Sequence, residues 1–138
     1  MLRFVVQQHF RDAEDWHYDL MLEGGEALVT FSSHTPPDDT AALPALVRQL
    51  PSHRLAYLDY EGEISGGRGW CEIYDGGTME WIAPDCPVEC PAQPGRTACD
   101  YVDEVAVRLD GRKVKGVYRF VRETRSGTDY WRMRRDEA

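Results

Sequence analysis

The stretch LRFVVQQHFRDAEDWHYDLMLE, residues 2–23, decides the fold class of this chain. Its two ends, LRFVVQQH and WHYDLMLE, are rich in aromatic and β-branched residues, a composition that is typical of β-strands. The connection FRDAED between them is short and polar. We therefore expect the two ends to form neighbouring, paired strands.

The same pattern recurs through the rest of the chain, usually with apolar and polar residues in alternation. It is shown by seven further segments: EALVTFS, HRLAYLDYEG, GWCEIYD, TMEWIA, DEVAVRLDG, KVKGVYRFVRE and DYWRMRR. The links EGGE, SGGRG, DGGT, LDGRK and RSGT have the composition of turns. The last two segments, joined by a short polar loop, predict a hairpin.

One segment differs from this pattern. DDTAALPALVRQL, residues 38–50, has Asp and Thr as capping residues and apolar residues at helical spacing, with Pro44 early in the helix or kinking it. This predicts a single short helix. The sequence as a whole predicts an all-β fold, mainly an antiparallel β-barrel with one short helix, in a single domain of residues 1–138.

Composition supports a folded domain and excludes several classes of protein. A chain of 138 residues with 42% hydrophobic and 11% aromatic residues can bury a core and is not disordered. It has no run of about 18 apolar residues, so we expect no membrane span. The opening MLRFVVQQH becomes polar too early for a secretory signal, and the expected location is cytoplasmic.

The four cysteines leave the thiol chemistry open. Cys71 stands in a predicted strand, whereas Cys86, Cys90 and Cys99 lie in the proline-rich stretch PDCPVECPAQPGRTACD. This spacing is not that of a strong zinc finger or zinc ribbon. Free thiols, a disulfide and a structural metal are all compatible with it.

Charge is distributed unevenly along the chain. The net charge is −8, but ten of the 16 Lys and Arg residues fall in a basic strip from Arg108 to Arg135, against three acidic residues. An acidic protein is an unfavourable binder of nucleic acid, although a local basic strip can contact phosphates. The basic strip is therefore either a surface for DNA or RNA 3′ ends or a solvated outer face of two strands.

His17 and Asp19 are the first candidate metal ligands. They stand two residues apart in a predicted strand, so both side chains lie on one face. His9 ends the preceding strand, and pairing of the two strands brings it beside them. Two imidazoles and one carboxylate suit Mn²⁺, Zn²⁺ or Fe²⁺ and leave positions for water or a phosphate oxygen. Hydrogen-bonded polar residues at a barrel mouth would show the same spacing.

Several motifs together resemble the phosphoesterase domain of bacterial DNA ligase D. FVVQQH followed by HYDLMLE is similar to that family's FVVQ-x-H and HYD-x-R-L-E. SHRLAYLDYEGEISGGRG is similar to DHPLDYADFEGVIPEGEYGAG, and CEIYDGGTMEW to V-x-VWD-x-GTW. DGRKVKGVYRFVR with YWRMRRDE is similar to G-x-KLKGRFALVR with WLLIKRRDE. The motifs keep their order over nearly the whole chain, which chance matches of short apolar strings do not.

The resemblance implies a small β-barrel that trims DNA 3′ ends during repair. It implies removal of a 3′-terminal ribonucleoside and then of the 3′-phosphate, with Mn²⁺ as the usual metal. It maps the family's metal ligands onto His9, His17 and Asp19, and a further active-site histidine and tyrosine onto His53 and Tyr57. His53 can donate a proton to the leaving group or hydrogen-bond the phosphate. Tyr57 either orients a phosphate oxygen or is a strand aromatic in the core.

The chain departs from the family at three cationic positions. The family arginine two residues after the HYD aspartate is Met21 here, and its VPKGP lysine falls near His34 and Thr35. A second family arginine aligns near Ala45. Such cations are expected to grip the phosphate, and each loss costs roughly ten- to thousand-fold in rate. The candidate replacements are Arg11, His34, Arg48 and Arg54.

Two functions from different classes follow from these residues. The first is a metal-dependent phosphoesterase, which the set His9, His17, Asp19 and His53 motivates. The second is a catalytically impaired, metal-holding module that binds nucleic-acid ends or a protein partner, which Met21 motivates. Oxidative chemistry at non-haem iron also uses two histidines and one carboxylate, but the ordered family motifs argue against it.

Overall fold

The protein, as a computed structural model that describes residues 1–83 and 102–136, is a closed antiparallel β-barrel of eight strands with one short additional strand. The strands are β1 (Leu2–Asp12), β2 (Asp15–Gly24), β3 (Ala27–Ser33), β4 (Ala45–Arg54), β5 (Gly62–Glu63), β6 (Trp70–Ala83), β7 (Glu104–Asp110), β8 (Lys115–Arg125) and β9 (Thr128–Asp136). Cys71 is a buried free thiol, whereas the predictions for Cys86, Cys90 and Cys99 lie outside the described residues. The predicted all-β barrel is confirmed.

The barrel closes in the strand order β1-β2-β3-β4-β9-β8-β7-β6, and β6 returns to β1. The two-residue strand β5 adds to the start of β6. β1 and β2 are antiparallel neighbours, as predicted, with His9 directly opposite His17. β8 and β9 form the predicted hairpin. In this ring, β8 and β9 lie across the barrel from β2 and β1.

The inward-facing side chains form the main core. Phe4, Phe31, Tyr118, Phe120 and Trp131 are its largest members, and each is at most 1% exposed. Phe31 stacks on Phe120 at a centroid distance of 4.4 Å, although β3 and β8 are not neighbours in the barrel wall. Side chains from separate parts of the wall therefore meet in the interior, which is filled, as is usual for a barrel of this size.

A second, smaller core lies on the outer face of β1 to β3. It contains Val5, Met21 and Leu28, which alternate with the inward-facing residues, and Leu58 from a segment that packs against them. We call this segment, residues 55–69, the covering segment. It includes the 3-10 turn Leu55–Leu58 and packs along the outside of β1. Both faces of the middle of β1 are consequently buried.

The predicted helix at residues 38–50 is wrong. Thr40–Ala42 form a single 3-10 turn, and Ala45–Arg54 form strand β4. Pro44 has no N–H to donate and disfavours helical backbone at Leu43, which is extended. Pairing of β4 with both β3 and β9 completes the barrel wall. The stability gained from this pairing outweighs the local preference for a helix that the spacing of apolar residues indicates. Within the described ranges, no helix is long and apolar enough to cross a membrane.

Two strand predictions are wrong in detail. HRLAYLDYEG is not a single strand, because β4 ends at Arg54 and a 3-10 turn follows. GWCEIYD and TMEWIA are not separated by a turn, because β6 continues from Trp70 to Ala83. A Cβ on Gly77 would lie 2.1 Å from the carbonyl oxygen of Asp110, so this glycine permits close approach of two chain segments.

Candidate metal centre

The three predicted metal ligands come together on the outer face of β1 and β2. His9, His17 and Asp19 each offer a donor atom, and these atoms lie within 4.8 Å of one another. His9 stands opposite His17 in the strand pair, and Asp19 follows two residues later on the same face. Val6 and Leu20, one residue out of phase with them, face the main core. The cluster therefore lies outside the barrel wall and faces the covering segment.

The carboxylate of Asp19 shows that the cluster suits a cation. Asp19 is 4% exposed, and its Oδ1 has no hydrogen-bond partner among the described residues. Oδ1 lies 3.0 Å from Nε2 of His17, without the geometry of a hydrogen bond, and Oδ2 lies 3.8 Å from Nδ1 of His9. Donors that bind one ion at about 2.1 Å lie roughly 3 to 3.5 Å apart. A buried, unsatisfied carboxylate oxygen is costly unless a cation meets it.

His9 is oriented by the covering segment. Its Nε2 lies 2.9 Å from the carbonyl oxygen of Arg68, and we assign the ring proton to this nitrogen because a carbonyl can only accept. In a neutral ring, the lone pair is then on Nδ1, which faces Asp19. Metal-bound histidines usually donate their other N–H to a carbonyl or carboxylate, which fixes the ring. His9 is thus held in the tautomer that a metal ligand requires.

His53 and Tyr57 form the opposite wall of the same groove. Their ring centroids are 5.5 Å apart in an edge contact, because the 3-10 turn folds Tyr57 back toward β4. In a continuous strand, residues four apart would be separated by about 13 Å. The groove between this wall and the cluster is further lined by Met21, Ile64 and Arg68.

His53 is neutral near pH 7. Burial lowers the pKa of His53 below its ordinary value and outweighs the opposing effect of the Asp19 carboxylate, while His9 and Arg68 lower it further. Its Nδ1 lies 3.0 Å from the carbonyl oxygen of Pro51, to which it donates. The other ring nitrogen is then a hydrogen-bond and proton acceptor.

Gln7 ties the two walls of the groove together. It is 2% exposed, and its Nε2 donates to the carbonyl oxygens of Tyr57 at 2.8 Å and Tyr60 at 2.9 Å. The strand that carries His9 is therefore bonded directly to the turn that carries Tyr57. In the sequence, the only sign of this role was a polar residue directly after the apolar run FVV of β1.

The three positions that lack a family cation lie in different surroundings. Met21 is buried in the outer core and lines the groove beside the cluster. Ala45 pairs with Met133, a main-core residue, so a side chain at position 45 faces the barrel interior. Thr35 follows β3 and donates its backbone N–H to Ser33 Oγ. Met21 is thus the departure that changes the groove itself.

Arg48, a candidate replacement, belongs to strand β4 and not to a helix. It pairs with Ser32, which pairs with Asp19, so Arg48 and Asp19 share the outer face two strands apart. That separation is about 10 Å between backbones. The Arg48 guanidinium lies 5.9 Å from the ring centre of Tyr130, on β9.

The other predicted replacements surround the groove at different distances. Arg54 lies over the ring of Tyr57, 5.9 Å from its centre, and Arg11 lines an adjoining groove. His34 is exposed in the turn after β3. Arg68, which lines the groove itself, was not predicted. Its place within the glycine-rich run SGGRG was the only available signal, and nothing local connects that run to His9.

The basic strip lies across the barrel from the cluster. It occupies β7 to β9, and in the described chain six of its arginines form ion pairs with carboxylates: Arg108, Arg119, Arg122, Arg125, Arg132 and Arg134. Glu123 pairs with two of them, as does Asp136. Hydrogen bonds from Arg132 and Arg125 lower the pKa of Glu123 to about 2. Much of the charge of the strip is therefore balanced on its own face.

Comparison of the sequence with known protein families identifies the class to which this barrel belongs. The family model of the DNA Ligase D 3′-phosphoesterase domain matches residues 7–122, and the chain belongs to this family. The matched range contains the positions of all five predicted site residues: His9, His17, Asp19, His53 and Tyr57.

Individual relatives agree with this assignment. The multifunctional non-homologous end joining protein LigD of Mycolicibacterium smegmatis is 32% identical over 122 residues, which cover 86% of this chain and 15% of that protein. The LigD proteins of Mycobacterium bovis and Mycobacterium tuberculosis are each 29% identical over 123 residues, covering 86% of this chain and 14% of theirs. The chain thus spans only about one seventh of the length of these relatives.

Proposed function

We propose that this barrel is a metal-dependent phosphoesterase that processes the 3′ ends of nucleic acids. The observation that carries the proposal is the buried Oδ1 of Asp19, which accepts no hydrogen bond from a described residue and lies beside two histidines, a set of donors that suits a cation. Family membership supports phosphoester chemistry, and the names of the relatives connect that family to the joining of DNA ends. The proposal concerns the barrel alone and does not extend to the other parts of those longer relatives.

The proposed metal ligands are His9, His17 and Asp19. Mn²⁺ is the first choice, from the family resemblance, and Zn²⁺ the alternative, because two imidazoles and one carboxylate suit both ions. When bound, such a cation withdraws electron density from a phosphoryl oxygen and offsets the negative charge that develops there. Calorimetric titration with each ion should give about one equivalent for the wild type.

The opposite wall would position the phosphoester and handle the proton. Neutral His53 accepts a hydrogen bond or a proton, and the negative charge of a bound phosphate raises its pKa again. His53 in its protonated form can then donate to the leaving oxygen. The Tyr57 hydroxyl would orient a phosphate oxygen. Gln7 keeps this wall at a fixed separation from the cluster through its two bonds to the covering segment.

The test is a Mn²⁺-supplemented assay on a primer-template that ends in a 3′-phosphate or in one 3′-ribonucleotide. We expect trimming by the wild type and none by His17→Ala. His34→Ala is the matched control, because His34 is exposed and belongs neither to the cluster nor to the lining of the groove, so the structure gives it no place as a replacement cation. Absence of trimming by wild-type protein that binds Mn²⁺ would refute the DNA-end proposal.

A second function is favoured by one observation. Met21 occupies the groove position where the family has an arginine, and it leaves the cluster without a cation from β2. A barrel that binds metal and nucleic-acid ends without turnover is consistent with this. The same substrates distinguish the two functions, because the binding module would retain the labelled end in a gel-shift assay and release no product.

A further inference from the structure

We infer that Arg68 is the phosphate-binding arginine of this site, and that it takes a terminal phosphate monoester of DNA. The inference rests on the proposed function and deepens it. Arg68 would supply from the covering segment the cation that Met21 does not supply from β2. This would be a replacement from a different part of the chain, in the run SGGRG, where the family motif EGEYGAG quoted above has no arginine.

The first argument is placement. Arg68 lines the same groove as Met21, together with Asp19 and His53. Its carbonyl oxygen accepts the hydrogen bond from Nε2 of His9, at 2.9 Å. The backbone of Arg68 is therefore fixed to a proposed metal ligand, so the side chain starts at a defined distance from the cluster.

The second argument is the state of its guanidinium. Nε donates to the carbonyl oxygen of Ser65 at 2.7 Å, and one terminal nitrogen donates to Ser65 Oγ at 3.2 Å. Among the described residues, no carboxylate forms an ion pair with Arg68, in contrast to Arg3 with Asp59. The guanidinium is thus held in place by neutral oxygens, and no described carboxylate offsets its positive charge. Its remaining N–H groups can form the paired hydrogen bonds that phosphates favour.

The third argument is the shape of the turn that carries it. Gly69 has a φ of +92°, and a Cβ at this position would lie 1.8 Å from the carbonyl oxygen of Phe10. The chain after Arg68 therefore lies directly against β1, next to His9. No residue with a Cβ fits at this position, so Gly69 is what allows the turn to lie close to the cluster.

Other arginines are less well placed. Arg54 lies over the Tyr57 ring, Arg11 lines the adjoining groove, and Arg48 lies two strands away beside Tyr130. Among the described arginines, only Arg68 both lines the groove and contacts a proposed ligand. We assign Arg11 and Arg54 no role at the reacting phosphate.

The experiment compares wild type, Arg68→Ala and Arg68→Lys, with Arg134→Ala on β9 as the matched control. Mn²⁺ affinity is measured first, and we expect it to change less than about threefold, because the backbone carbonyl and not the side chain supports His9. Inorganic phosphate is then titrated into the Mn²⁺-loaded proteins. We expect Arg68→Ala to weaken phosphate binding about tenfold to hundredfold, with partial recovery in Arg68→Lys, which keeps the charge but not the planar fork.

A second readout uses labelled oligonucleotides ending in a 3′-phosphate or a 3′-hydroxyl. Wild type should prefer the phosphate end, and Arg68→Ala should lose that preference. Equal phosphate binding by wild type and Arg68→Ala would overturn the inference, whether or not the wild type trims DNA. Arg68-dependent phosphate binding without trimming would support the inference and refute the proposed function. Absence of both metal and phosphate binding in the wild type would overturn both.

Discussion

The Nε2 of Gln7 donates a hydrogen bond of 2.8 Å to the carbonyl oxygen of Tyr57, and this bond joins β1, which carries His9 of the candidate metal cluster, to the turn of the opposite wall. It crosses from the outer face of β1 to the covering segment. The same nitrogen also reaches the Tyr60 carbonyl. One buried side chain therefore fixes the separation of the two walls.

Replacing Gln7 should separate these walls. Gln7→Ala leaves two carbonyls of the covering segment without a donor, which costs about 1–3 kcal/mol. We expect a lower midpoint in urea unfolding. Gln8→Ala, at the next position in β1 but on its other face, is the control. Equal midpoints for the two variants would contradict the role of Gln7.

Asp19 should contribute to metal binding at the expense of stability. In metal-free protein, Asp19→Asn removes a buried charge whose Oδ1 has no partner, so the melting temperature should stay equal or rise. With Mn²⁺ at about 100 times Kd, the wild type should gain about 2.7 kcal/mol and the variant almost none. Thermal unfolding in EDTA and in Mn²⁺ measures both effects. A wild type that does not respond to Mn²⁺ would count against the metal centre.

Gly69 and Gly67 form a matched pair for testing the turn around Arg68. Both have positive φ, but a Cβ on Gly67 meets nothing within 4 Å, whereas one on Gly69 meets Phe10 at 1.8 Å. Gly67→Ala should cost only the backbone strain, about 1 kcal/mol. Gly69→Ala should cost more and should also weaken Mn²⁺ binding, because it displaces the carbonyl that orients His9. Similar Mn²⁺ affinities for the two variants would show that the turn does not support the cluster.

Asp75 should make the free energy of unfolding of the barrel depend on pH in the acid range. Burial alone would raise the pKa of Asp75, but hydrogen bonds from backbone N–H groups, led by those of Val114 and Lys113, outweigh it and lower the pKa. A lowered carboxyl pKa contributes stability that is complete above the unfolded value, about 3.9, and is lost as pH falls through the folded pKa.

The corresponding variant is Asp75→Asn, with exposed Asp110→Asn as its control. At pH 7 Asp75→Asn should lose about 1.5–3 kcal/mol, the range for a hydrogen bond to a charged group. The difference from wild type should shrink between pH 4 and pH 2, as measured by urea unfolding at each pH. A difference that stays constant over this range would show that the charge of Asp75 is not involved.

The cations around the groove should matter more for DNA ends than those of the basic strip. Arg11 and Arg54 form no ion pair with a described residue, whereas Arg125 and Arg132 are paired with Glu123. Arg11→Ala with Arg54→Ala should weaken binding of a 3′-phosphate oligonucleotide and lower its salt slope by about one per arginine. Arg125→Ala with Arg132→Ala should change neither, as measured by fluorescence anisotropy across a salt series. If the Arg125 and Arg132 variant binds more weakly and the Arg11 and Arg54 variant binds normally, the basic strip is the DNA surface.

Strand periodicity was sufficient to predict the relation between the three proposed ligands. Residues two apart in a strand lie on the same face, and the short connection indicated adjacent strands, so His9 was expected beside His17 and Asp19. Their distances within 4.8 Å follow from this. The same local rules failed at residues 38–50, where helical spacing lost to strand pairing on both sides.

The sequence by itself determined the β-barrel class, the β1–β2 and β8–β9 hairpins and the convergence of His9, His17 and Asp19, because each depends on residues close together in the chain. The tertiary structure alone decided that the cluster lies outside the barrel. Phe4 to Gln7 are buried on both faces, so alternation in β1 cannot distinguish inside from outside. It also decided that Arg68 reaches His9, since that contact joins residues 59 positions apart and depends on how the covering segment packs. The local propensity of a segment carries no information about contacts between residues far apart in the sequence. Burial and hydrogen bonding across the whole fold determine those contacts.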